Sequence, residues 1–365
     1  VESRDSNACT VTVPTFRPDI VLEADLIEEV ARIHGLDKLP EVLPQATVVP
    51  DADDTSTRAV MACRVALVGL GLHETVNYSF VSQDVLDAIG TDDAARRVVL
   101  PNPVSADYAV MRNSLVPQMI ETLGRNLSRQ VLDASCFELG KVFLKDERGG
   151  IAEEERLCIG LMGKGGRGYL DAKRPVEPDE MFLWIKGIVQ GLSSAQHVED
   201  VSFTKLERPY FEEGFGVLLS IGGRPFGLMG LLAEPIRRKW RMAEPVGVAE
   251  MLLRPLLAAI FKVPQARPVP AYPSVTRDVA MIVARDVTHE DVLKIIRKSA
   301  PPELTEIRLF DIFLGKVVGE ARKSLAYSLV YRSLERTLTD EDANRYHEEV
   351  KKALKSSLGA EIRES

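Results

Sequence analysis

Four carboxylates near the N-terminus are the residues whose types and spacing point most directly to chemistry. Asp25, Glu28 and Glu29 fall at i, i+3 and i+4 of a segment with helical periodicity, about Ala24 to His34, so they share one face. Asp19 lies six residues before Asp25, in the approach Phe16-Arg17-Pro18-Asp19. Four converging carboxylates suit a hard cation such as Mg2+, which takes oxygen ligands and keeps several waters. Acids in a first helical turn also complement the helix dipole, and Glu28 can pair with Arg32, so spacing alone leaves both readings open.

Other chemistry-bearing patterns are weaker. Gly163-Lys164-Gly165-Gly166-Arg167-Gly168 resembles a phosphate cradle but lacks the G-x-x-x-x-G-K-[ST] order, and no clear helix follows; it reads as a loop at a strand end. The histidines, His34, His73, His197, His289 and His347, show no zinc-ligand spacing, and His34 at a helix end matches the dipole there. No G-x-S-x-G elbow or dinucleotide fingerprint is present. The cysteines, Cys9, Cys63, Cys136 and Cys158, are far apart in apolar runs and read as buried reduced thiols.

The elements that would carry these residues are clearest in the last hundred positions. Val275 to Ala284 and Leu304 to Leu314 read as strands around an amphipathic segment that opens at Thr288. A third strand, Leu325 to Tyr331, follows a turn at Gly315 to Gly319. A helix from Asp340 to Leu358 and a short strand at Ala360 to Arg363 complete a βαββαβ order, a ferredoxin-like plait. Thr339 and Asp342 form a capping box at the start of that helix, and Gly359 is placed for a left-handed cap at its end.

Earlier, a strand at Thr10 to Val13 precedes the acidic helix, which Gly35 closes. Pro40, Pro44, Pro50 and the acidic run Asp51 to Asp54 read as a linker. Helices at Ser56 to Leu70, Val116 to Leu127, Met181 to Leu192 and Leu253 to Ile260 are interleaved with strands at Glu74 to Phe80, Ala134 to Leu144, Glu155 to Met162, near Leu228 to Leu232, and Val246 to Met251, with a hairpin turn at Gly222-Gly223. The layout is α+β, an antiparallel sheet with helices against it. Residues 265–273, with three prolines, make a stiff spacer to the plait.

A chain of 365 residues implies two or three domains, read as 1–45, 46–264 and 265–365. Hydrophobic content of 45% with 27% charged residues is that of a soluble globular protein, and no apolar run reaches the roughly 18 residues of a membrane span. Val1 is not an initiator methionine, and the chain reads as a cut piece of a longer protein, with no signal peptide. Net charge is −8, but residues 271–365 hold 16 Lys+Arg and 16 Asp+Glu, so the excess acid lies entirely before them. The plait is the part best able to approach a phosphate backbone.

Several motifs together carry a family resemblance. Tyr272-Pro273-Ser274-Val275-Thr276-Arg277-Asp278-Val279-Ala280, Leu309-Phe310-Asp311-Ile312-Phe313, Lys323-Ser324-Leu325-Ala326 and Arg336-Thr337-Leu338-Thr339-Asp340 resemble the ferredoxin-fold anticodon-binding domain of the phenylalanyl-tRNA synthetase beta subunit family. Val13-Pro14-Thr15-Phe16-Arg17-Pro18-Asp19 and Asp25 to Gly35 resemble the close of the domain before that family's class II synthetase-like module. Ser114-Leu115-Val116-Pro117 and Phe137 to Phe143 are similar to the module itself.

The resemblance implies a non-catalytic scaffold, with no catalytic residue here, and an anticodon binder within phenylalanine-tRNA ligase. Its partners would be an alpha subunit, in a heterotetramer of two alpha and two beta, and tRNA(Phe), with no membrane. ATP would be used by the assembled cytoplasmic enzyme and not by this chain alone. Asp19, Asp25, Glu28 and Glu29 match positions assigned to a Mg2+ shared with the alpha subunit. Arg112 matches one ATP-clamping arginine, whereas Leu231-Leu232-Ala233-Glu234-Pro235 lacks the second, and electrostatic stabilisation of adenylation would fail. Arg277, Phe310, Tyr331 and Arg332 are the residues expected to stack on and hydrogen-bond to unpaired bases. The competing reading is an autonomous RNA-binding or assembly protein that reuses these domains; a third has the module adenylating on its own.

Overall fold

The computed structural model describes residues 3–4, 8–42, 45, 55–90, 94–164, 174–260, 269–315, 318–319 and 321–363. Most of the expected linker at 40–54, most of the glycine-rich loop at 163–168 and half of the proline spacer at 265–273 lie outside these residues. Two compact units are formed, Val1–Asp54 and Thr55–Ser365.

In the first unit, short strands β1 (Ser3–Arg4) and β2 (Cys9–Thr10) pair antiparallel, and helix α1 spans Glu23–His34. Strand pairing is confined to Cys9 and Thr10, short of the expected Val13, and Cys9 is exposed, unlike the other three thiols. Gly35 caps α1 at φ 101°, a conformation that a side chain would strain. Nothing on α1 is buried: Ile27, Val30 and Ile33 stand exposed along it, as does Leu22 just before it.

The second unit opens with α2 (Thr55–Gly69), β3 (His73–Glu74), β4 (Phe80–Val81), α3 (Gln83–Ile89), β5 (Val98–Val99), β6 (Val110–Met111) and α4 (Val116–Ser128). It continues through β7 (Ala134–Lys145), β8 (Ile151–Met162), α5 (Pro178–Ala195), β9 (Val201–Lys205), β10 (Phe211–Ile221), β11 (Arg224–Leu232), α6 (Glu234–Lys239), β12 (Val246–Leu252) and α7 (Leu253–Ile260). Seven strands join in the order β3-β7-β8-β12-β11-β10-β9, antiparallel except for the β3–β7 pair.

Both faces of that sheet are covered, and strand periodicity divides its residues between two cores. Leu157, Ile159 and Leu161 of β8 face the layer of α2, α5 and α7, while Cys158 and Met162 face α3, α4 and α6. Burying each of those leucines or isoleucines contributes roughly 1.5–3 kcal/mol, and burial on both faces explains the unbroken apolar run. Gly160 lets α4 lie close on the sheet, because a side chain there would collide with Met119 and Leu123.

The expected strand from Glu74 to Phe80 is instead two short strands, β3 and β4, around an irregular stretch at 75–79. The ladder is replaced there by side chains and scattered backbone bonds: Gln118 Nε2 donates to the carbonyls of Tyr78 (2.7 Å) and Phe80 (3.0 Å), and the Arg112 amide donates to that of Ser79 (2.9 Å). Helices α3 and α6 and strand β9 are further elements that periodicity did not single out.

The plait consists of β13 (Val275–Ala284), α8 (His289–Ser299), β14 (Leu304–Phe313), β15 (Arg322–Tyr331), α9 (Asp340–Leu358) and β16 (Glu361–Arg363), with its antiparallel sheet in the order β14-β15-β13-β16. Thr288 and Thr339 both cap their helices as boxes with Asp291 and Asp342, and Gly359 ends α9 at φ 60°. The α+β architecture is therefore that expected. Val279, Met281 and Val283 join Leu325, Tyr327, Leu329 and Tyr331 in one core with Val292, Ile296, Val350 and Leu354 of the helices. By alternation, Ser324, Ala326 and Ser328 line the opposite face of β15, where Arg308 aligns with Ser328 in the sheet register.

Candidate functional site

The N-terminal carboxylates are engaged within the chain. Arg17 Nη2 donates to Asp19 (2.8 Å) and to Glu29 (2.6 Å), and Arg32 donates to Glu29 at 2.5 Å, so Arg32 pairs with Glu29 and not with Glu28 as the helix-pairing reading expects. Asp25 accepts the backbone N–H groups of Val21 and Leu22, both at 2.7 Å, and caps the helix start. Those two amides hold the Asp25 carboxyl below its ordinary range. Among the described residues no group of three or more His, Cys, Asp or Glu side chains is placed to hold a metal ion. As arranged, guanidinium and amide donors engage three of the four carboxylates, Asp19, Asp25 and Glu29.

Arg17, and then Arg32, depress the Glu29 carboxyl to about 2. A folded value below the unfolded one means that this contribution to stability is complete above about pH 4.3 and is lost as pH falls through about 2. In a carboxyl-carbon NMR titration, Glu29 is expected to titrate near 2 and to return toward the ordinary range in Arg17→Met. An unchanged midpoint in that variant would remove Arg17 as the cause.

In the synthetase-like module, the arginine matched to a phosphate clamp is inside the protein. Arg112 is 4% exposed, and its Nη1 reaches Glu138, itself 2% exposed, at 2.5 Å. Its Nε donates to the Lys141 carbonyl at 2.8 Å, and Gln118 Oε1 accepts from Nη1 at 3.3 Å. Asn77 Nδ2 donates to the other Glu138 oxygen at 2.7 Å. The guanidinium sits where Gly140 leaves room for it. Nearby, a cavity of about 230 Å3 is lined by Ser114, Arg156, Tyr210 and Glu250. Three of its charges engage one another: Arg156 pairs with Glu154 (2.6 Å) and Glu250 (2.9 Å), and Glu250 accepts from Ser114 Oγ (3.0 Å) and the Leu115 amide (2.6 Å). None of Glu138, Arg156 or Glu250 was singled out by spacing: apart from the local Arg156–Glu154 pair, the bonds that join them to Arg112, Ser114 and each other span 26 to 136 residues.

The four plait residues separate by environment. Phe310 is 52% exposed and stands at a bulge in β14, between Leu309 and Asp311. Arg332, just past the end of β15, forms no ion pair among the described residues, and its Nε is buried without a partner. Arg277 is committed to α9, donating to Asp340 at 2.6 Å and Asn344 at 2.9 Å. Tyr331 is fully buried in the core beside Tyr346, so its ring presents no face to a base as the sheet stands. Its parity with Leu325, Tyr327 and Leu329 is the signal that places it inside.

Three family models cover the chain in sequence order. The tRNA synthetase B5 domain matches residues 1–36, the phenylalanyl tRNA synthetase beta chain CLM domain matches 39–253, and the ferredoxin-fold anticodon binding domain matches 270–363. The chain belongs to the phenylalanyl-tRNA synthetase beta chain family. The phenylalanine–tRNA ligase beta subunit of Symbiobacterium thermophilum is 38% identical over 356 residues, covering 97% of this chain and 40% of that protein. That of Listeria innocua is 33% identical over 354 residues, covering 97% of this chain and 44% of its own length. The chain thus spans less than half the length of these beta-chain relatives. A solved pyrrolysyl-tRNA synthetase from Desulfitobacterium hafniense aligns with 14% identity and a TM-score of 0.45 over 64% of this chain and 72% of that one. No helix among the described residues is long and apolar enough to cross a membrane. In beta-chain terms, the buried arginines lie in the CLM domain and Phe310 and Arg332 in the anticodon-binding domain.

Proposed function

We propose that this beta-chain segment serves phenylalanine–tRNA ligase in the cytoplasm by docking a catalytic alpha subunit and holding the anticodon of tRNA(Phe), without activating phenylalanine itself. The observation that carries the reading is the internal pairing of Arg112 with Glu138. A clamp for ATP phosphates must present its charge to the ligand, whereas this guanidinium is buried and satisfied by groups of its own domain. The resemblance to a scaffold and the burial agree.

Docking is supported by an apolar stripe on α2, where Met61, Val65 and Val68 are spaced i, i+4, i+7 and exposed by 50–68%. The helix leads into β3, the open edge of the seven-stranded sheet. The alpha subunit is the occupant that this reading assigns to that stripe, in an assembly of two alpha and two beta subunits. Phe310 offers a ring for stacking and Arg332 an unpaired charge for phosphate, the two contacts that single-stranded RNA requires. ATP and Mg2+ belong, on this reading, to the assembled enzyme. Asp19, Asp25, Glu28 and Glu29 are the residues that this reading assigns to a Mg2+ shared with the alpha subunit, and no step is routed through them.

The test is reconstitution. Alone, the chain is expected to give no phenylalanine-dependent ATP–pyrophosphate exchange; mixed with an alpha subunit, it is expected to elute as a stable complex that Val65→Glu disrupts. Exchange by the isolated chain would overturn the scaffold assignment. A chain that ignores the alpha subunit yet binds RNA would establish the autonomous RNA-binding alternative.

A further inference from the structure

A cleft of about 630 Å3 opens beside the irregular stretch at 75–79, lined by Val76, Tyr78, Asp107, Tyr108, Glu121 and Arg125 among others. Tyr78, Phe80 and Tyr108 give it an aromatic side. The rings of Tyr78 and Tyr108 meet edge to face, with centroids 5.8 Å apart at 77°, and are 72% and 41% exposed. Its charge is acidic by one, with Asp107 and Glu121 against Arg125.

Glu121 is the unusual member. Its carboxylate is half-buried, yet among the described residues it accepts no hydrogen bond and closes no salt bridge, even with Arg125 one helical turn away. Burial, opposed by Arg125 and reinforced by Asp107, raises its pKa above the ordinary range. A carboxylate withdrawn from water without a donor costs free energy that a bound cation would recover.

The cleft is also pre-built. Gln118 Nε2 holds the backbone carbonyls of Tyr78 and Phe80, Asn77 is fixed by Glu138 at 2.7 Å, and Thr122 Oγ1 donates to Asn77 Oδ1 at 3.2 Å. The loop that presents the Tyr78 ring is therefore anchored to α4 and β7 before any ligand arrives, which reduces the ordering cost of binding. Electron-rich ring faces beside an unpaired carboxylate are the pair of features that recognise organic cations.

We propose that this cleft is a receptor for one organic cation, a guanidinium or primary ammonium group, seated against the ring of Tyr78 with Glu121 and Asp107 as its counterions. The site is separate from the anticodon-binding surface and does not depend on that reading. Two sources supply the chemistry: an arginine or lysine side chain of a protein partner, or a free polyamine.

The full chain, labelled with fluorotyrosine, is titrated with Nα-acetyl-arginine amide, with its neutral citrulline analogue and with spermidine, while the Tyr78 and Tyr108 resonances, assigned by Tyr78→Phe and Tyr108→Phe, are followed by fluorine NMR. The arginine amide is expected to shift both resonances saturably and the citrulline analogue to leave them in place. Glu121→Gln is expected to weaken binding by about fivefold, and Asp107→Asn, at an exposed position with no structural bond, by a smaller factor. Tighter binding of the arginine amide than of spermidine assigns the site to a side chain, and the reverse assigns it to a free polyamine. A shift that does not saturate, equal binding of citrulline, or unchanged affinity in a folded Glu121→Gln chain would overturn the proposal.

Discussion

Glu138→Ala is expected to destabilise the synthetase-like module by about 3–5 kcal/mol, enough to lower its melting temperature by roughly 10 °C. The reason is asymmetry: the charge of Arg112 stays inside the protein when its partner goes, with only 4% of the residue reaching solvent. Asn77 loses its acceptor at the same time, so the stretch at 75–79 loosens with it. Against a total stability of about 5–15 kcal/mol, this is a large fraction. The double exchange Arg112→Met with Glu138→Leu strands no charge and is expected to cost less than either single change, although the Lys141 carbonyl loses its donor. Thermal denaturation followed by circular dichroism compares the three. A loss below about 1 kcal/mol in Glu138→Ala would show that the pair is not structural. If the double variant folds, binds the alpha subunit and yet abolishes exchange activity, Arg112 reaches substrate after all.

Phe310→Ala is expected to weaken tRNA(Phe) binding by about 1–3 kcal/mol, roughly 5- to 150-fold in Kd, with little effect on stability. Its ring is half exposed at a strand bulge, so removing it leaves no cavity in the plait core. Arg332→Ala is expected to lower the slope of log K against log salt by about one, the signature of a lost phosphate contact. Tyr331→Phe provides the contrast. Its hydroxyl is buried without a partner, so the change is expected to leave RNA affinity untouched and stability equal or slightly higher. Filter binding of tRNA(Phe) and of an anticodon-substituted transcript, each at several salt concentrations, checks all three. Equal affinity of Phe310→Ala and the parent chain would remove the ring from the interface.

The plait was legible almost to the residue because its information is local: alternation defines β13, and Thr339 with Asp342 and Gly359 bound α9. The same alternation, applied to β15, puts Tyr331 on the side of Leu329; choosing it for its aromatic chemistry overrode a register that the sequence already contained. The irregular stretch at 75–79 could not be read, because the donors that replace its strand partners belong to Gln118 and Arg112, about forty and thirty-three residues on. The N-terminal carboxylates are an intermediate case. Their common face was legible, but which of them Arg17 would occupy depended on how the approach loop folds back, with Arg17 twelve residues from Glu29.

The amide of Gln118 serves the carbonyls of Tyr78 and Phe80 much as a neighbouring strand would, from a position on α4. The shape of that loop is thus written on the helix beneath it, and the outward side chains of Val76 and Tyr78, 89% and 72% exposed, make none of those hydrogen bonds. Shape and recognition are inherited separately here. Substitutions at those two positions can alter what the surface binds while the Gln118 bonds to the backbone that displays them stay as they are.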